Sequence, residues 1–515
     1  MPNILWVDDE IEMLKPHHLF LEERGYTVEK ANNGSDALDL VKSRSFDVIF
    51  LDENMPGMSG LEVLEVVKEL KPELPVVMIT KSEEEQIMEM AIGSKIADYL
   101  IKPVNPNQIL LALKKILSSA HLVEQSTTRS YQREFGKITM EMQGLRNWDE
   151  WAAFYKKLLS WELKMDSIDE EGLKGILANQ KEEANELFGR MVERNYQKWF
   201  AHREEAHLMS DQLVESVVAP LIKEDKKVFF LVMDNLRLDQ WMVMKPLLSN
   251  YANVLNEGVY GSILPSATQY ARNSLFAGMM PADIAKTHPQ YWVGESDEGG
   301  KNNFEGELFK AHMDSLGLGH KNTVYHKVTN IRGAKKYVDN LHQLKTADVA
   351  ALVYNFVDTL SHAKTDTEVI RELARDDRAY RKLTATWFST SPLLQVLKYV
   401  LENGWTVVLT TDHGTVNVGR ATKVVGTREL TTNLRYKSGK GISYNAKHVL
   451  EVDKPEAIGL PKEHIADKFI FAVNDYFMAY PNRYNHFVQY YKNTYQHGGI
   501  SLEELIIPYA VLSGK

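Results

Sequence analysis

Short apolar runs alternate with amphipathic stretches, and this alternation constrains the fold more than any other feature of the chain. In the first 120 residues the runs are Ile4–Val7, Val48–Leu51, Val76–Ile79 and Tyr99–Ile101, with Thr27–Ala31 as a weaker strand candidate. From residue 226 the alternation resumes, with apolar runs at Val228–Met233, Val349–Val357 and Thr406–Thr411. Strands of a parallel sheet covered on both faces have this character, with helices between them. The sequence therefore predicts two α/β regions.

The middle of the chain has a different pattern. Residues 121–225 contain few turn signals, and apolar residues recur at helical spacing, first from Trp148 to Trp161 and again from Leu187 to Trp199. This pattern predicts a connector of about three helices whose tryptophans are core residues. The predicted domains are therefore 1–120, a helical connector over 121–222 and a second α/β domain over 223–515. Residues 282–345 interrupt the rhythm and are interpreted as a cap insertion over a crevice in that domain.

Composition limits the chemistry. The chain has no cysteine, so any metal site must use carboxylates, imidazoles or hydroxyls. Residues 1–120 hold 12 basic and 21 acidic residues, so the net charge of −10 belongs mainly to this segment. This balance does not favour direct binding of duplex DNA. The sequence shows neither a signal peptide nor an apolar run of about 18 residues, and a soluble cytoplasmic protein is expected.

A first candidate site lies in residues 1–120. Five polar residues follow predicted strands and would converge at the carboxyl edge of the sheet: Asp8, Asp9, Asp52, Thr80 and Lys102. Three crowded carboxylates favour Mg²⁺. With Mg²⁺ bound, Asp52 could attack a phosphoryl group, while Lys102 and Thr80 contact the phosphoryl oxygens. A solvated acidic loop is the alternative for the first two residues taken alone.

This set, with the stretch Asp-Glu-Asn-Met-Pro-Gly that begins at Asp52, resembles the receiver domain of two-component response regulators over residues 3–118. The resemblance implies a flavodoxin-like fold and phosphorylation of Asp52 by a sensor histidine kinase. It also implies that the carbonyl of Asn54 joins the three aspartates as a Mg²⁺ ligand, and that Thr80 and Tyr99 form the switch pair. Phosphorylated receivers of this family commonly dimerise, so a phosphorylation-dependent homodimer is expected.

A second set of candidate metal ligands lies in the later α/β region. Carboxylates and imidazoles occur near the ends of predicted strands or in short motifs, at Asp234, Asp358, His362, Asp412, His413 and His497. Such groups can hold two cations that clamp the attacking and leaving oxygens of a phosphate ester. The spacing of four between Asp358 and His362 places both on one face of a helical turn. Taken singly, each residue is more often a cap, core or surface group.

Thr268 is the candidate nucleophile. It follows a predicted strand and a turn at Pro265, and Ser266 and Thr268 are plausible N-capping residues for the next helix. A hydroxyl at a helix N-terminus lies at the positive end of the helix dipole, which favours an alkoxide and a phosphoryl group. Coordination to a metal would lower the pKa of this hydroxyl further.

Together these motifs resemble the alkaline phosphatase superfamily, and within it the PglZ type, over about residues 225–512. The resemblance implies an alkaline-phosphatase-like α/β domain with two Zn²⁺ ions. One ion would be held by Asp358, His362 and His497, and the other by Asp234, Thr268, Asp412 and His413. Thr268 would accept the phosphoryl group covalently, and Asn273 is a weaker candidate for contact with a substrate oxygen.

The substrate prediction is an oligonucleotide, linear or cyclic, cleaved as a phosphodiester. Residues 415–448 are strongly basic, and a run of cations suits a polyanion better than a monoester. The predicted phosphate contacts there are Arg420, Lys423, Arg428, Lys437 and Lys440. A solvated loop is the alternative.

A receiver joined by helices to a PglZ-type domain resembles the PorX-type response regulators tied to type IX secretion in Bacteroidota. This resemblance implies a kinase of the PorY kind. It also implies a sigma factor or a secretion-motor segment as a partner. The alternative function is a phosphorylation-gated protein-binding regulator with an auxiliary phosphatase activity.

Overall fold

The computed structural model describes residues 2–81, 96–166, 168, 171–295, 297, 299–426, 431–462 and 468–515. The chain divides into two compact units, Met1–Glu134 and Phe135–Lys515. None of the helices in these described ranges has the length and apolar content needed to cross a membrane.

The first unit contains a parallel five-stranded sheet in the order β2-β1-β3-β4-β5. Its strands are β1 (Asn3–Val7), β2 (Thr27–Ala31), β3 (Val48–Asp52), β4 (Val76–Thr80) and β5 (Asp98–Ile101). The residues of β3 and β4 are all buried, which accounts for their continuous apolar sequences. Because the strands are parallel, the carboxyl ends of β1, β3, β4 and β5 lie at the same edge of the sheet.

The described helices that begin in the first unit are α1 (Lys15–Glu22), α2 (Gly34–Ser43), α3 (Gly60–Leu70) and α4 (Pro106–Gly144). Side-chain capping sets the start of α3, because Ser59 and Glu62 form a reciprocal capping box. Helix α4 has 39 residues and ends beyond the boundary between the units.

The second unit begins with the end of α4 and two long helices, α5 (Trp148–Met165) and α6 (Glu171–Ala201). Asn147 and Glu150 form the capping box of α5. The apolar face of α5 is buried, including Trp148, Trp151 and Trp161, in agreement with the predicted core role of the tryptophans. A π-helical turn (Val214–Val218) and α7 (Ala219–Lys223) lead into the sheet.

The second unit is built on a six-stranded sheet in the order β7-β18-β10-β6-β9-β8. Its strands are β6 (Val228–Met233), β7 (Ala252–Gly261), β8 (Thr323–Val328), β9 (Val349–Tyr354), β10 (Thr406–Thr410) and β18 (Ile506–Gly514). All pairings are parallel except those of β18, which runs antiparallel to β10 and β7. The central strands β6, β9 and β10 are buried throughout.

Helices lie between these strands in the sequence. They are α8 (Leu238–Met244), α9 (Thr268–Ala277), α10 (Pro281–Thr287), α11 (Glu305–Ser315), α12 (Ile331–Asp339), α13 (Phe356–Asp366), α14 (Glu368–Leu373), α15 (Asp377–Thr390), α16 (Pro392–Glu402), α17 (Tyr484–Tyr491) and α18 (Leu502–Leu505).

Three small sheets lie between β10 and β18 in the sequence. They pair β11 (Val416–Val418) with β17 (Thr494–Gln496), β12 (Arg420–Lys423) with β16 (Tyr476–Ala479), and β15 (Lys468–Ala472) with both β13 (Tyr436–Gly439) and β14 (Val449–Val452).

The predicted fold class, a multidomain α/β protein with a helical connector, is confirmed. Two local interpretations change. The segment 282–345 contains β8, which pairs with β9 and extends the main sheet, so this part of the segment is not a cap. The strand predicted over Val349–Val357 ends at Tyr354, and Asp358 lies in the first turn of α13 instead.

Candidate functional sites

The carboxyl edge of the first sheet holds an acidic cluster with one lysine. Oxygens of Asp8, Asp9 and Asp52 lie within 4.8 Å of one another, and Asp9 is exposed. The Lys102 Nζ donates hydrogen bonds of 2.9 Å to both Asp8 and Asp52. Burial raises the pKa of Asp52. The arrangement can hold a hard cation beside Asp52 while the lysine neutralises added negative charge.

The other predicted receiver residues lie on or just after the strands of this sheet. Thr80 ends β4 and is buried, and Tyr99 in β5 is 40 % exposed. Asn54, which lies two residues after Asp52, is exposed. The Lys102–Pro103 peptide bond is cis.

The second unit holds a buried triad of possible metal ligands at its sheet edge. Asp234 follows β6 and Asp412 follows β10, and the register of these strands, with Val232 opposite Thr410, brings the two aspartates side by side. The His413 Nε2 lies 3.8 Å from the Asp234 Oδ1 and 3.6 Å from the Asp412 Oδ2. Two ligands of one tetrahedral zinc ion lie about 3.3–3.6 Å apart. The observed separations are close to those that one ion requires.

A second triad consists of Asp358, His362 and His497. Asp358 and His362 lie one turn apart on α13, with 3.4 Å between the Asp358 Oδ1 and the His362 Nε2. The His497 Nε2 is 3.9 Å from the same oxygen. The side chain of His362 is 62 % exposed, whereas that of His497 is 13 % exposed. This triad therefore opens to solvent on the His362 side.

The two triads adjoin each other. The rings of His413 and His497 stack with their centroids 4.3 Å apart. Asn235 donates a hydrogen bond to a carboxylate of each triad, at 3.3 and 3.4 Å. Thr268, the first residue of α9, has its Oγ1 3.0 Å from the His413 Nε2. The structure thus brings all seven predicted residues of the second site together, although they span positions 234 to 497.

Two members of the exposed triad, His497 and Asp358, are held in the protonation state that binds metals. Burial lowers the pKa of His497 to about 3, so this imidazole is neutral at pH 7. Burial alone would raise the pKa of Asp358, but the hydrogen bond with His362 and the charges of the neighbouring histidines hold that pKa below its usual range. The hydrogen bond to Asp358 raises the pKa of His362. Neutral imidazoles and ionised carboxylates are the forms that bind metals.

The buried triad has carboxylate oxygens without hydrogen-bond donors. The Asp234 Oδ1 and the Asp412 Oδ2 accept no hydrogen bond from any residue in the described ranges. Burial, together with the charge of Asp412, raises the pKa of Asp234 well above its usual value. Unpaired buried carboxylate oxygens are costly unless a cation lies beside them. The donor set therefore fits a metal ion.

Sequence reasoning missed the cation that partly balances this charge. Buried Arg272 places its Nη1 2.5 Å from the Asp234 Oδ2 and its Nε 2.5 Å from the Glu305 Oε1. Its position four residues after Thr268 puts it on the same side of α9 as the hydroxyl. That spacing is the one signal in the sequence, and nothing in the sequence identifies Glu305 as its partner.

Glycines follow both histidines of the stack because the space for a side chain is already filled. A Cβ at Gly414 would lie 1.9 Å from the Glu503 carbonyl oxygen. Gly498 has a φ of +119°, and a Cβ there would lie 2.6 Å from the Tyr436 ring. The backbone conformation and the close approach therefore both require glycine.

Ser266 has a different role from the predicted one. Helix α9 begins at Thr268 with Ala267 as its N-cap, and no side chain caps it. The Ser266 Oγ instead donates to the Gly499 carbonyl at 2.8 Å and accepts from the Gly498 N–H at 3.1 Å. The hydroxyl thus holds the loop of His497 beside Thr268, and the predicted capping role of Ser266 is wrong.

Two of the predicted phosphate contacts, Arg420 and Lys437, are engaged elsewhere in the fold. Arg420 is paired with Glu182 at 2.9 Å and with Asp475 at 2.5 Å, so carboxylates already neutralise it. Lys437 is buried and donates to the Thr431 carbonyl, and burial lowers its pKa to about 8. These two residues serve the local fold, and their prediction as substrate contacts is not supported.

The remaining basic candidates lie apart from such pairings or outside the described residues. The Lys423 Nζ lies 4.9 Å from the ring centre of Tyr484, and Lys440 is exposed. Arg428 lies outside the described ranges. Contact of Lys423 and Lys440 with a substrate stays a prediction.

Asn273 is buried and its polar atoms are used within the fold. Its amide nitrogen donates to the carbonyls of Gln269 and Lys301, and its oxygen accepts from Asn302. The Asn302 amide also donates to the Thr268 carbonyl at 2.9 Å. Asn273 therefore supports the segment that contacts Thr268, and the prediction of a direct substrate contact is not supported.

Protein-family models match three regions of the chain. The model of the BREX system PglZ alkaline phosphatase-like domain matches residues 213–512, more than half of the chain. The chain belongs to the PglZ family. The response regulator receiver domain matches residues 4–114, and the PorX response regulator linker domain matches residues 121–200. This PglZ protein therefore combines a receiver domain with an alkaline phosphatase-like domain, and both kinds of domain generally use metal ions.

Individual relatives match about a quarter of the chain. The transcriptional regulatory protein ZraR of Klebsiella oxytoca is 34 % identical over 136 residues, 26 % of this chain and 31 % of that protein. ResD of Bacillus subtilis, also named a transcriptional regulatory protein, is 33 % identical over 118 residues, 23 % of this chain and 49 % of its own length. The chain thus spans a third to a half of these curated relatives. The chemotaxis protein CheY4 of Vibrio cholerae is 31 % identical and is covered over 98 % of its length, which is 22 % of this chain, with a TM-score of 0.22.

Proposed function

We propose that residues 223–515 are a zinc-dependent phosphodiesterase that hydrolyses linear or cyclic oligonucleotides, and that phosphorylation of Asp52 governs this effector. One observation carries the proposal. Two carboxylate–histidine triads adjoin through stacked rings 4.3 Å apart, with the Thr268 hydroxyl 3.0 Å from one of those rings. Such a pair of sites beside a hydroxyl suits phosphoryl transfer.

The donor sets indicate which residues would hold the ions. Asp358, His362 and His497 would bind one Zn²⁺ and Asp234, Thr268, Asp412 and His413 the other, since nitrogen and oxygen donors of this kind suit zinc. When bound, the two ions would neutralise the charge of the phosphate and lower the pKa of the hydroxyl.

Thr268 would act as the nucleophile. Its hydroxyl would give up a proton to solvent, an Oγ1–P bond would form, and the P–O ester bond would break as an alkoxide leaves with the bonding electrons and takes a proton from solvent. Water would then hydrolyse the bond between Thr268 and phosphorus, which releases a phosphate monoester and restores the hydroxyl. The backbone N–H groups at the start of α9 face developing negative charge on the phosphoryl oxygens.

The surroundings of the buried triad favour a diester over a monoester. A monoester carries one more anionic oxygen and needs a cation for it. Arg272, the buried cation beside this triad, is already committed to Asp234 and Glu305. A diester does not need that extra partner.

Hydrolysis of bis-p-nitrophenyl phosphate with Zn²⁺, compared with p-nitrophenyl phosphate, tests the proposal. We expect faster release of p-nitrophenol from the diester, loss of activity after chelation with return on adding Zn²⁺, and a loss of at least about 100-fold for Thr268→Ala. Thr268→Ser, which keeps a hydroxyl, should retain part of the activity. A higher rate on the monoester would contradict the diester assignment, and unchanged activity in Thr268→Ala would contradict the nucleophile.

The receiver would supply the control. We propose that Asp52 is phosphorylated by a sensor histidine kinase of the PorY kind with Mg²⁺ held by Asp8, Asp9, Asp52 and the carbonyl of Asn54, and that this drives dimerisation. The match to the PorX response regulator linker domain supports a PorX-type architecture. From the resemblance to such regulators we propose a role in secretion, with a sigma factor or secretion-motor segment as partner. The alternative, a regulator that acts by binding proteins, gives no reason for unpaired carboxylate oxygens beside a hydroxyl.

A further inference from the structure

Helix α6 of the connector carries a buried lysine that joins three other helices. The Lys181 Nζ lies 2.9 Å from the Glu162 Oε1 of α5, 3.0 Å from the Glu503 Oε1 of α18 and 3.3 Å from the Asp377 Oδ2 of α15. Three carboxylates converge on one ammonium group that is nearly excluded from solvent. Loss of this cation would leave buried carboxylates without their partner.

Asn185, one helical turn later, binds the same short helix. Its amide nitrogen donates to the Glu503 Oε2 at 3.1 Å, and its oxygen accepts the Leu502 N–H at 2.7 Å. Helix α18 has only four residues, so it has little internal hydrogen bonding to fix its position. Its placement therefore depends on outside contacts, and the connector supplies those to Leu502 and Glu503, while Arg435 pairs with Glu504.

Helix α18 in turn contacts the segments that carry both stacked histidines. The Gly414 N–H, next to His413, donates to the Glu504 carbonyl at 3.2 Å. The Gly499 N–H, two residues after His497, donates to the Glu504 Oε1 at 2.9 Å. The Glu503 carbonyl also occupies the space that a side chain at Gly414 would need. A shift of α18 would move both histidines.

A second connection runs from the connector to the strand end that carries Asp234. Arg381 of α15 binds Asp166 and Glu162 at the connector, and its Nη1 lies 3.0 Å from Asp239 of α8. Asp239 is paired with buried Arg237, three residues after Asp234. The connector is thus also linked by charged pairs to the segment that follows Asp234.

We propose that the connector is part of the catalytic scaffold, in which Lys181 and Asn185 act through α18 as positioning residues for His413 and His497. This inference rests on the proposed function, because it assigns those histidines to metal binding. Partners behind metal ligands commonly change metal affinity or activity by about 10- to 100-fold when removed. The residues matched by the linker model would therefore be required for the chemistry as well as for joining the two domains.

The test compares full-length variants by Zn²⁺ titration against a chromophoric chelator and by kinetics on bis-p-nitrophenyl phosphate. Lys181→Met and Asn185→Leu should weaken Zn²⁺ binding by about tenfold or more and lower kcat with little change in KM. Lys181→Arg should restore both values. Arg190→Ala, at an exposed position of the same helix, should match wild type.

Thermal unfolding at saturating Zn²⁺ separates positioning from stability. Zn²⁺ affinity and kcat within twofold of wild type in folded Lys181→Met and Asn185→Leu would overturn the inference. So would a loss of activity that only follows the unfolded fraction. If Lys181→Met does not fold, Glu503→Gln removes the same charge pair from the other side and must give the loss. A wild-type protein that binds no Zn²⁺ and cleaves no ester would refute the proposed function itself.

Discussion

One histidine at the junction of connector and sheet contributes to the free energy of unfolding in a way that depends on pH. His207 stacks on Trp148 with ring centroids 3.7 Å apart, next to Gly261 at the end of β7. Neither ring nitrogen has a hydrogen-bond partner among the described residues. Burial, with the charge of Arg203, lowers the pKa of His207 to about 3.

The sign of the effect follows from the number of protons bound. Between about pH 3 and pH 6.5 the unfolded chain protonates His207 and the folded chain does not, so stability falls as the pH falls through this window. Since one pKa unit is worth about 1.4 kcal/mol, His207 should cost about 2 kcal/mol at pH 5. At pH 7 the cost is close to zero.

His207→Phe should remove this cost, since the ring can stack and needs no hydrogen bond. Urea unfolding in chelator, followed by tryptophan fluorescence, reports on the second unit because eight of the nine tryptophans lie in residues 135–515. We expect the variant to lose about 2 kcal/mol less than wild type between pH 7 and pH 5. His202→Gln, at an exposed position nearby, should behave as wild type. Equal losses in wild type and His207→Phe would refute the reasoning.

Three further predictions concern the sites. Gly414→Ala places a Cβ against the Glu503 carbonyl, so Zn²⁺ affinity should fall at least about tenfold in the chelator titration, and an unchanged affinity would argue against the packing. Arg272→Met leaves Asp234 without its cation, so the chelated protein should lose about 3–5 kcal/mol in urea unfolding, and less with Zn²⁺; equal losses in both conditions would contradict a metal at that carboxylate. Beryllofluoride with Mg²⁺ should convert wild type from monomer to dimer in sedimentation but leave Asp52→Ala monomeric, and a single mass for wild type in both states would count against phosphorylation-dependent dimerisation.

The sheets could be predicted from the sequence because their strands are buried on both faces. The apolar runs that end at Asp52, Asp234 and Asp412 coincide with β3, β6 and β10, and parallel topology alone brings such ends to one edge. Predicting the positions of these aspartates required only the local sequence pattern and one general rule of sheet geometry. That is why residues far apart in the sequence could be placed together.

Features that depend on distant partners could not be predicted. Ser266 has the residue type of an N-cap and lies two residues before α9, but its hydroxyl is used by a loop 232 residues later. The basic run after Asp412 gives no sign that Arg420 meets Glu182 or that Lys437 is buried. The contacts of Lys181 with three helices are likewise invisible in local sequence. Long-range charge pairing is decided by tertiary packing, which single-sequence patterns do not contain.

The position of β18 has a consequence for how this site comes into being during synthesis. β18 is the last described strand in the sequence, yet it lies between β7 and β10 and pairs with both. A nascent chain still attached to the ribosome at residue 500 has translated every proposed zinc ligand, but not the strand that links β7 to the rest of the sheet. The strand β7 leads directly to Thr268. The segment that carries Thr268, the proposed nucleophile, is therefore joined to the rest of the sheet only after β18 has been translated.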